Sequence, residues 1–332
     1  MGLPLADTKN GKNRMHAILI KEDKSLVWSK VPDPVRKKNE IVIEVHAAAV
    51  NRADLMQREG NYPSPPGWPE WMGLEVAGIV IEAPEQGRWQ IGDKVCALLG
   101  GGGYAEKVAV PANMVLPVPE GLSMAEAAAI PEVFASSYLN LCIEGKMKSD
   151  DTVFIQAGAS GLGMAAIQMA KEFGAKVITT VGSERKVEFV KKLGADVIIN
   201  RKQESIPEIL AQHPVNVAID CVAGPELGLC IKTMAREGRW IVIATLGGSM
   251  SELNMLDFFK RGVKLIGSTL RSQTIEVKAE ILTRLEKELW SALSSGKIKV
   301  LIHKILPITL AEHAHSILRN NENTGKVVLM IK

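Results

Sequence analysis

Hydrophobic and polar positions divide the chain into two grammars. From residue 15 to about 118, short apolar runs alternate with turn residues. Segments 15–20, 40–48, 76–82 and 104–110 read as strands, broken by Pro32-Asp33-Pro34, 63–67 and 100–103. An irregular β-rich domain is expected there. After Pro131 the rhythm changes to strands alternating with helices. Strands are expected at 152–157, 175–180, 196–199, 215–220, 239–245 and 263–268, with helices at 162–173, 184–193, 206–212 and 225–235. Apolar strands spaced by helices of this length imply a parallel sheet covered on both faces. Six of them in this order predict a doubly wound dinucleotide-binding sheet. The tail carries a helix at 275–295, strands at 299–307 and 326–331, and a helix at 310–320. These last strands have no place in a finished six-stranded sheet, so they are expected to return to the first domain. The fold class is therefore α/β, with a β-rich domain (15–130 and 272–332) interrupted by a nucleotide-binding domain (131–271).

Length agrees, since 332 residues exceed what one hydrophobic core usually organises. Apolar residues at 46% and charged residues at 23% are ordinary for a soluble enzyme, and no apolar run approaches the ~20 residues that cross a bilayer. Residues 1–14 are polar and read as a disordered extension. A net charge of +3, from 40 basic against 37 acidic residues, is too mild to imply nucleic acid. Cys96, Cys142, Cys221 and Cys230 form no C-x-x-C pair, which argues against structural zinc and disulfide scaffolding. A reducing, cytoplasmic setting is expected.

Chemistry enters at Gly158-Ala159-Ser160-Gly161-Leu162-Gly163, between the first apolar strand and its helix. Glycines there let backbone N–H groups approach a pyrophosphate, and the helix N-terminus adds partial positive charge. The spacing departs from the usual G-x-G-x-x-G, but strand, loop, helix and the βα units behind them supply the context. Ser160 reads either as a cofactor contact or as a helix N-cap. The second strand ends in Thr180-Val181-Gly182-Ser183 with no acid at the point where a ribose 2′-hydroxyl is commonly bound. Ser183, Arg185, Lys186 and Arg201 suit a 2′-phosphate instead, so NADPH is the expected cofactor. Glu184 is discordant, and Arg185 with Lys186 also reads as a solvated helix face.

No metal set is evident. Gly73-Leu74-Glu75 stands where zinc alcohol dehydrogenases carry Gly-His-Glu, and His313 and His315 lie on different faces of one helix. Hydride transfer without a Lewis acid needs an acceptor that is already electron-poor, such as a quinone or an activated enone.

Several segments resemble the quinone oxidoreductase branch of the zinc-independent medium-chain dehydrogenase/reductase superfamily, and within it the tumour-suppressor-inducible type. They are Asn51-Arg52-Ala53-Asp54-Leu55-Met56-Gln57-Arg58 with Tyr62-Pro63, then 73–78, 92–95, 101–106, 127–132, 193–196 and 325–328. The resemblance implies a GroES-like catalytic domain, an inserted Rossmann domain, and a homodimer joined by sheet edges near 263–268. It places Tyr62 and Asn51 in the nicotinamide and substrate cleft. It gives the pyrophosphate to Ser160 and the glycines, and the 2′-phosphate to Ser183 and Lys186. Leu246-Gly247 and Ser268, Leu270 and Arg271 flank the nicotinamide, and Lys326 joins the cofactor set. Arg201 replaces a tyrosine that usually stacks near the adenosine phosphate. Local alternatives stay open: Tyr62 packing on Pro63 and Pro65, Asn51 capping a turn, and Trp68 and Trp71 lining the cleft or covering their own loop. So do two other functions, an NADPH-dependent alkenal reductase and an NADPH-gated RNA-binding protein.

Overall fold

The computed structural model describes residues 14–332. The expected extension 1–14 lies outside the described residues except for Arg14, which instead opens the first strand.

The first part of the chain forms β1 (Arg14–Ile20), β2 (Leu26–Pro32), β3 (Glu40–Ala49), α1 (Arg52–Arg58), β4 (Glu75–Glu82), β5 (Lys94–Leu98), β6 (Lys107–Pro111), β7 (Val115–Pro117), α2 (Met124–Ala128) and α3 (Pro131–Tyr138). The middle forms β8 (Thr152–Ile155), α4 (Gly161–Glu172), β9 (Lys176–Val181), α5 (Glu184–Lys192), β10 (Val197–Asn200), α6 (Ile206–Leu210), β11 (Val215–Asp220), α7 (Gly224–Ile231), β12 (Met234–Val242), α8 (Met255–Arg261) and β13 (Lys264–Gly267). The last part adds α9 (Ile275–Ser294), β14 (Ile302–Pro307), α10 (Ala311–Arg319) and β15 (Lys326–Met330).

Strands β8 to β13 make one six-stranded, wholly parallel sheet in the order β10-β9-β8-β11-β12-β13. This is the expected doubly wound arrangement. Its centre, β8, buries Val153, Phe154 and Ile155 completely, because helices cover both faces. Successive connections leave in opposite directions at β8 and β11, so the C-terminal ends of those strands flank a crevice. A second sheet runs β14-β15-β3-β4-β5-β7, with β6 pairing β3. Strand β15 lies antiparallel to β3, which brings the chain's tail back to its beginning.

Helix α9 ties the parts together. Thr274 caps it, and Ile281, Leu282, Leu285, Leu289 and Leu293 form one buried stripe at helical spacing. Each buried leucine stabilises by roughly 1.5–3 kcal/mol relative to an exposed one.

Some boundaries differ from expectation. Residues 104–110 do not form one strand: Tyr104 is drawn into the core, Ala105 makes a lone bridge to Ala17, and pairing with β3 starts at Lys107. The helix expected to 235 ends at Ile231 because β12 begins at Met234, paired with Val215. That strand stops at Val242, after which the backbone leaves the ladder.

Candidate active site

The crevice is built around the glycine loop. Leaving β8, the backbone passes through Ala157 at φ 56°, and beyond β11 it passes through Ala223 at φ 54°. Two non-glycine residues in this sparsely populated region, one on each side of the crevice, mark strain held at a working site. Asp220 shapes the second turn by accepting from the N–H groups of Val222 and Ala223, both at 2.8 Å. The glycines are demanded by close approach. A Cβ on Gly158 would lie 2.1 Å from Thr179 Oγ1, one on Gly161 2.5 Å from Lys326 Cδ, and one on Gly163 2.5 Å from Gly158 Cα. Ser160 caps α4, its Oγ accepting from Gly163 N–H at 3.0 Å; the hydroxyl proton remains for another acceptor. Leu162 follows, half-buried in the first turn.

Across the crevice, Ser268 Oγ and Gln156 Oε1 are buried without a hydrogen-bond partner among the described residues. Buried polar atoms of this kind ask for a partner from outside the chain, and a dinucleotide lying across the strand ends offers one. Leu246 and Gly247 stand on the exposed loop beyond β12, and Leu270 is buried beside Ser268. The described residues therefore fit a nicotinamide dinucleotide.

Lys326 crosses the crevice from β15. Its stem lies against Gly161, while its ammonium donates to Val50 O at 3.1 Å, Asn51 Oδ1 at 2.7 Å and Glu75 Oε1 at 2.6 Å. All three N–H donors are used. Asn51 Nδ2 and the backbone N–H of Glu132 complete the shell of Glu75 at 2.9 Å each. Asn51 also opens α1, its N–H donating to Asp54 at 2.8 Å. The expected Asn51 and Lys326 are thus brought together, but both side chains are committed to a buried ion pair. Beneath them, burial raises Asp54 to about 6 despite its bonds from Asn51, Gly73 and Tyr104.

At the far end of the loop, cations accumulate. Lys186 Nζ donates to Asn321 O at 2.7 Å, Arg185 to Glu322 O at 3.0 Å, and Arg52 to Asn321 Oδ1 at 2.8 Å. Arg201 lies over Gly182, its Nη2 3.3 Å from where a Cβ would stand, beside Ser183 at the start of α5. Burial, then Arg185, Arg201 and Arg52, depress the Lys186 pKa. None of the four forms a salt bridge among the described residues. Glu184 is exposed on α5, and Glu226 is the acid whose charge reaches Arg201. The structure thus places Ser183, Lys186 and Arg201 beside one another. Arg52 joins them from the other end of the chain, where no local pattern marks it.

Tyr62 stands in the loop after α1 with its ring 4.8 Å from the Arg271 guanidinium. Its phenol makes no hydrogen bond among the described residues, and burial with the charge of Glu132 raises its pKa. Arg271 donates to Gly100 O, Tyr62 O and Gln57 Oε1 at 2.8–3.0 Å, so its guanidinium grips loops around Tyr62 rather than facing the glycine turn. Trp71 donates to Gly102 O, and Trp68 packs on Gly100, so both pack on the loop that follows β5. Leu74 is core, and among the described residues no group of three or more His, Cys, Asp and Glu is arranged to hold a metal.

Two family models match the chain: "Alcohol dehydrogenase GroES-like domain" over residues 37–120 and "Zinc-binding dehydrogenase" over residues 161–287. The quinone oxidoreductase of Sus scrofa is 29% identical over 310 residues, 91% of this chain and 92% of that protein. A probable oxidoreductase from Mycobacterium abscessus superposes with a TM-score of 0.83 at 30% identity, covering 96% of this chain and all of that one. A mycobacterial protein solved in complex with NADPH superposes at 0.82 with 26% identity, over 95% and 99% of the two chains. The fold is a GroES-like domain joined to a Rossmann-like one, and the chain is an oxidoreductase. With those two domain types in that order and quinone oxidoreductases aligned along 91% of it, the chain belongs to the quinone oxidoreductase branch of the medium-chain dehydrogenase/reductase superfamily.

Proposed function

We propose that the protein reduces quinones with NADPH, by hydride transfer in the cleft between a catalytic domain (15–130 and 272–332) and a cofactor domain (131–271). The observation that carries this reading is the cluster Arg52, Arg185, Lys186 and Arg201, which has no paired carboxylate among the described residues. Such a cluster selects a dianionic 2′-phosphate over a ribose hydroxyl. The Gly158–Gly163 turn and Ser160 would hold the pyrophosphate. Ser268, Leu270, Leu246 and Gly247 would border the nicotinamide, which supplies hydride when bound. Arg271 and Lys326 act here by position, the first holding Tyr62 and the second bracing the glycine turn. Tyr62 has its phenol available to an acceptor oxygen as negative charge develops. Leu74 in the place of a ligand histidine supports chemistry without zinc, on acceptors that need no Lewis acid.

The reading includes a homodimer through the edge of the parallel sheet and, with four cysteines outside any disulfide, a reducing cytoplasmic setting. Among the described residues no helix is long and apolar enough to cross a membrane. Binding titrations of Lys186→Ala test the cofactor assignment. NADPH affinity falls roughly 10–100-fold, as for loss of one charge-assisted hydrogen bond, while NADH affinity holds. Equal weakening of both dinucleotides would place the phosphate elsewhere.

A further inference from the structure

Glu132 is the second residue of α3, just behind Pro131. Its backbone N–H is spent on Glu75, but its carboxyl makes no hydrogen bond or salt bridge among the described residues. The charged groups around it are Glu75 on β4, Lys326 on β15, Lys278 on α9, Asp54 on α1 and Arg271 between β13 and α9. None of the three cations is bound to it, the Arg271 guanidinium being spent on Gly100, Tyr62 and Gln57. Lys326 has its three acceptors, and Lys278, buried, donates to Arg271 O at 2.7 Å. Tyr62, stacked on that same Arg271, lies near enough for the charge of Glu132 to raise its pKa. An unpartnered carboxyl and an unpartnered phenol therefore share one end of the Asn51–Lys326 hub, next to the glycine turn.

We propose that Glu132 is the proton donor that completes reduction, passing its carboxyl proton to the anion left on the acceptor when hydride arrives. This rests on the reductase reading above. With an enone, the hydride pair forms a C–H bond at the β-carbon and the double-bond electrons move to an enolate. The Glu132 O–H bond then breaks as the α-carbon takes its proton, and the carboxylate is reloaded from water. With a quinone, the hydroquinone anion takes the same proton on oxygen. Burial and the charge of Glu75, opposed by Lys326 and Lys278, raise Glu132 to about 8, so the proton is in place at neutral pH. Protonation on carbon is slow without an aligned acid, whereas phenolate oxygen exchanges readily with water. Glu132 thus makes activated alkenes a substrate class of this site.

The test compares Glu132→Gln with the wild-type enzyme on a quinone and on an α,β-unsaturated ketone. Enone turnover falls roughly 100-fold, the range of a lost general acid, and quinone turnover by a smaller factor. In D2O the wild type deuterates the α-carbon on one face, and the variant loses that selectivity. A third readout needs no turnover. A carboxyl held above its ordinary 4.5 contributes stability that is lost as pH rises through the folded value of about 8. Wild-type thermal stability therefore declines relative to Glu132→Gln across that window. Unchanged enone turnover and stereochemistry in the variant would overturn the role of Glu132 alone. Failure of the wild type to oxidise NADPH with either acceptor would overturn the reductase reading and the proposal together.

Discussion

Lys326 shows how much a residue's meaning depends on its partners. Beside a glycine turn, a lysine reads as a phosphate ligand. In the structure it is 2% exposed and holds Glu75, which is fully buried. A buried pair of this kind is costly to form and costlier to break, because the surviving charge stays behind without compensation. Lys326→Met is expected to lower stability by about 3–5 kcal/mol in chemical denaturation, and adding Glu75→Leu to recover most of it. A loss no larger than a surface lysine gives would remove the hub from the account. Ser160 was legible only as two alternatives, N-cap or cofactor contact. The fold makes it the cap, its Oγ accepting from Gly163, and leaves the hydroxyl proton free for a cofactor oxygen, so the two roles are compatible.

The glycine turn is where element geometry sets residue identity. Helix α4 starts so close to β9 that Gly158 has no room for a methyl group against Thr179, itself fully buried with its hydroxyl donating to Ile155 O. Gly158→Ala should cost about 1–3 kcal/mol through overpacking and weaken dinucleotide binding by displacing the loop. Pairing it with Thr179→Ala, which removes the obstructing oxygen, should restore part of both, read by thermal unfolding and a binding titration. The β8–α4–β9 unit was legible in the sequence almost to the residue, because apolar strands and amphipathic helices are local patterns. Strands β2, β5 and β7 lie in the region expected to be β-rich but could not be placed individually. Their burial alternation is weak, and long-range pairing rather than propensity holds them.

At the scale of the molecule, strand β13 ends the parallel sheet without a partner on its outer side among the described residues, and Leu265 on it is 42% exposed. Helix α8 beside it buries no residue and presents Met255, Leu256 and Phe259, the last 66% exposed. A free edge flanked by exposed apolar side chains is a surface that proteins ordinarily cover. In the homodimer reading, two such edges join and continue the sheet. Light scattering at micromolar concentration is expected to give twice the chain mass, and Leu265→Lys with Phe259→Glu to give a folded monomer. A wild-type monomer would dismiss this interface.

Local pattern by itself determined the alternation of strands and helices, the glycine turn and the missing acid at the end of the second nucleotide strand. These are legible because a 2.0 or 3.6 residue period and a backbone without Cβ are properties of neighbours in sequence. Only the tertiary structure decided that Arg52 joins Lys186 and Arg201, that Lys326 turns to Glu75, and that Arg271 holds Tyr62. Those contacts join residues more than a hundred positions apart, where charge finds its partner through burial and chain topology, and no local period records either.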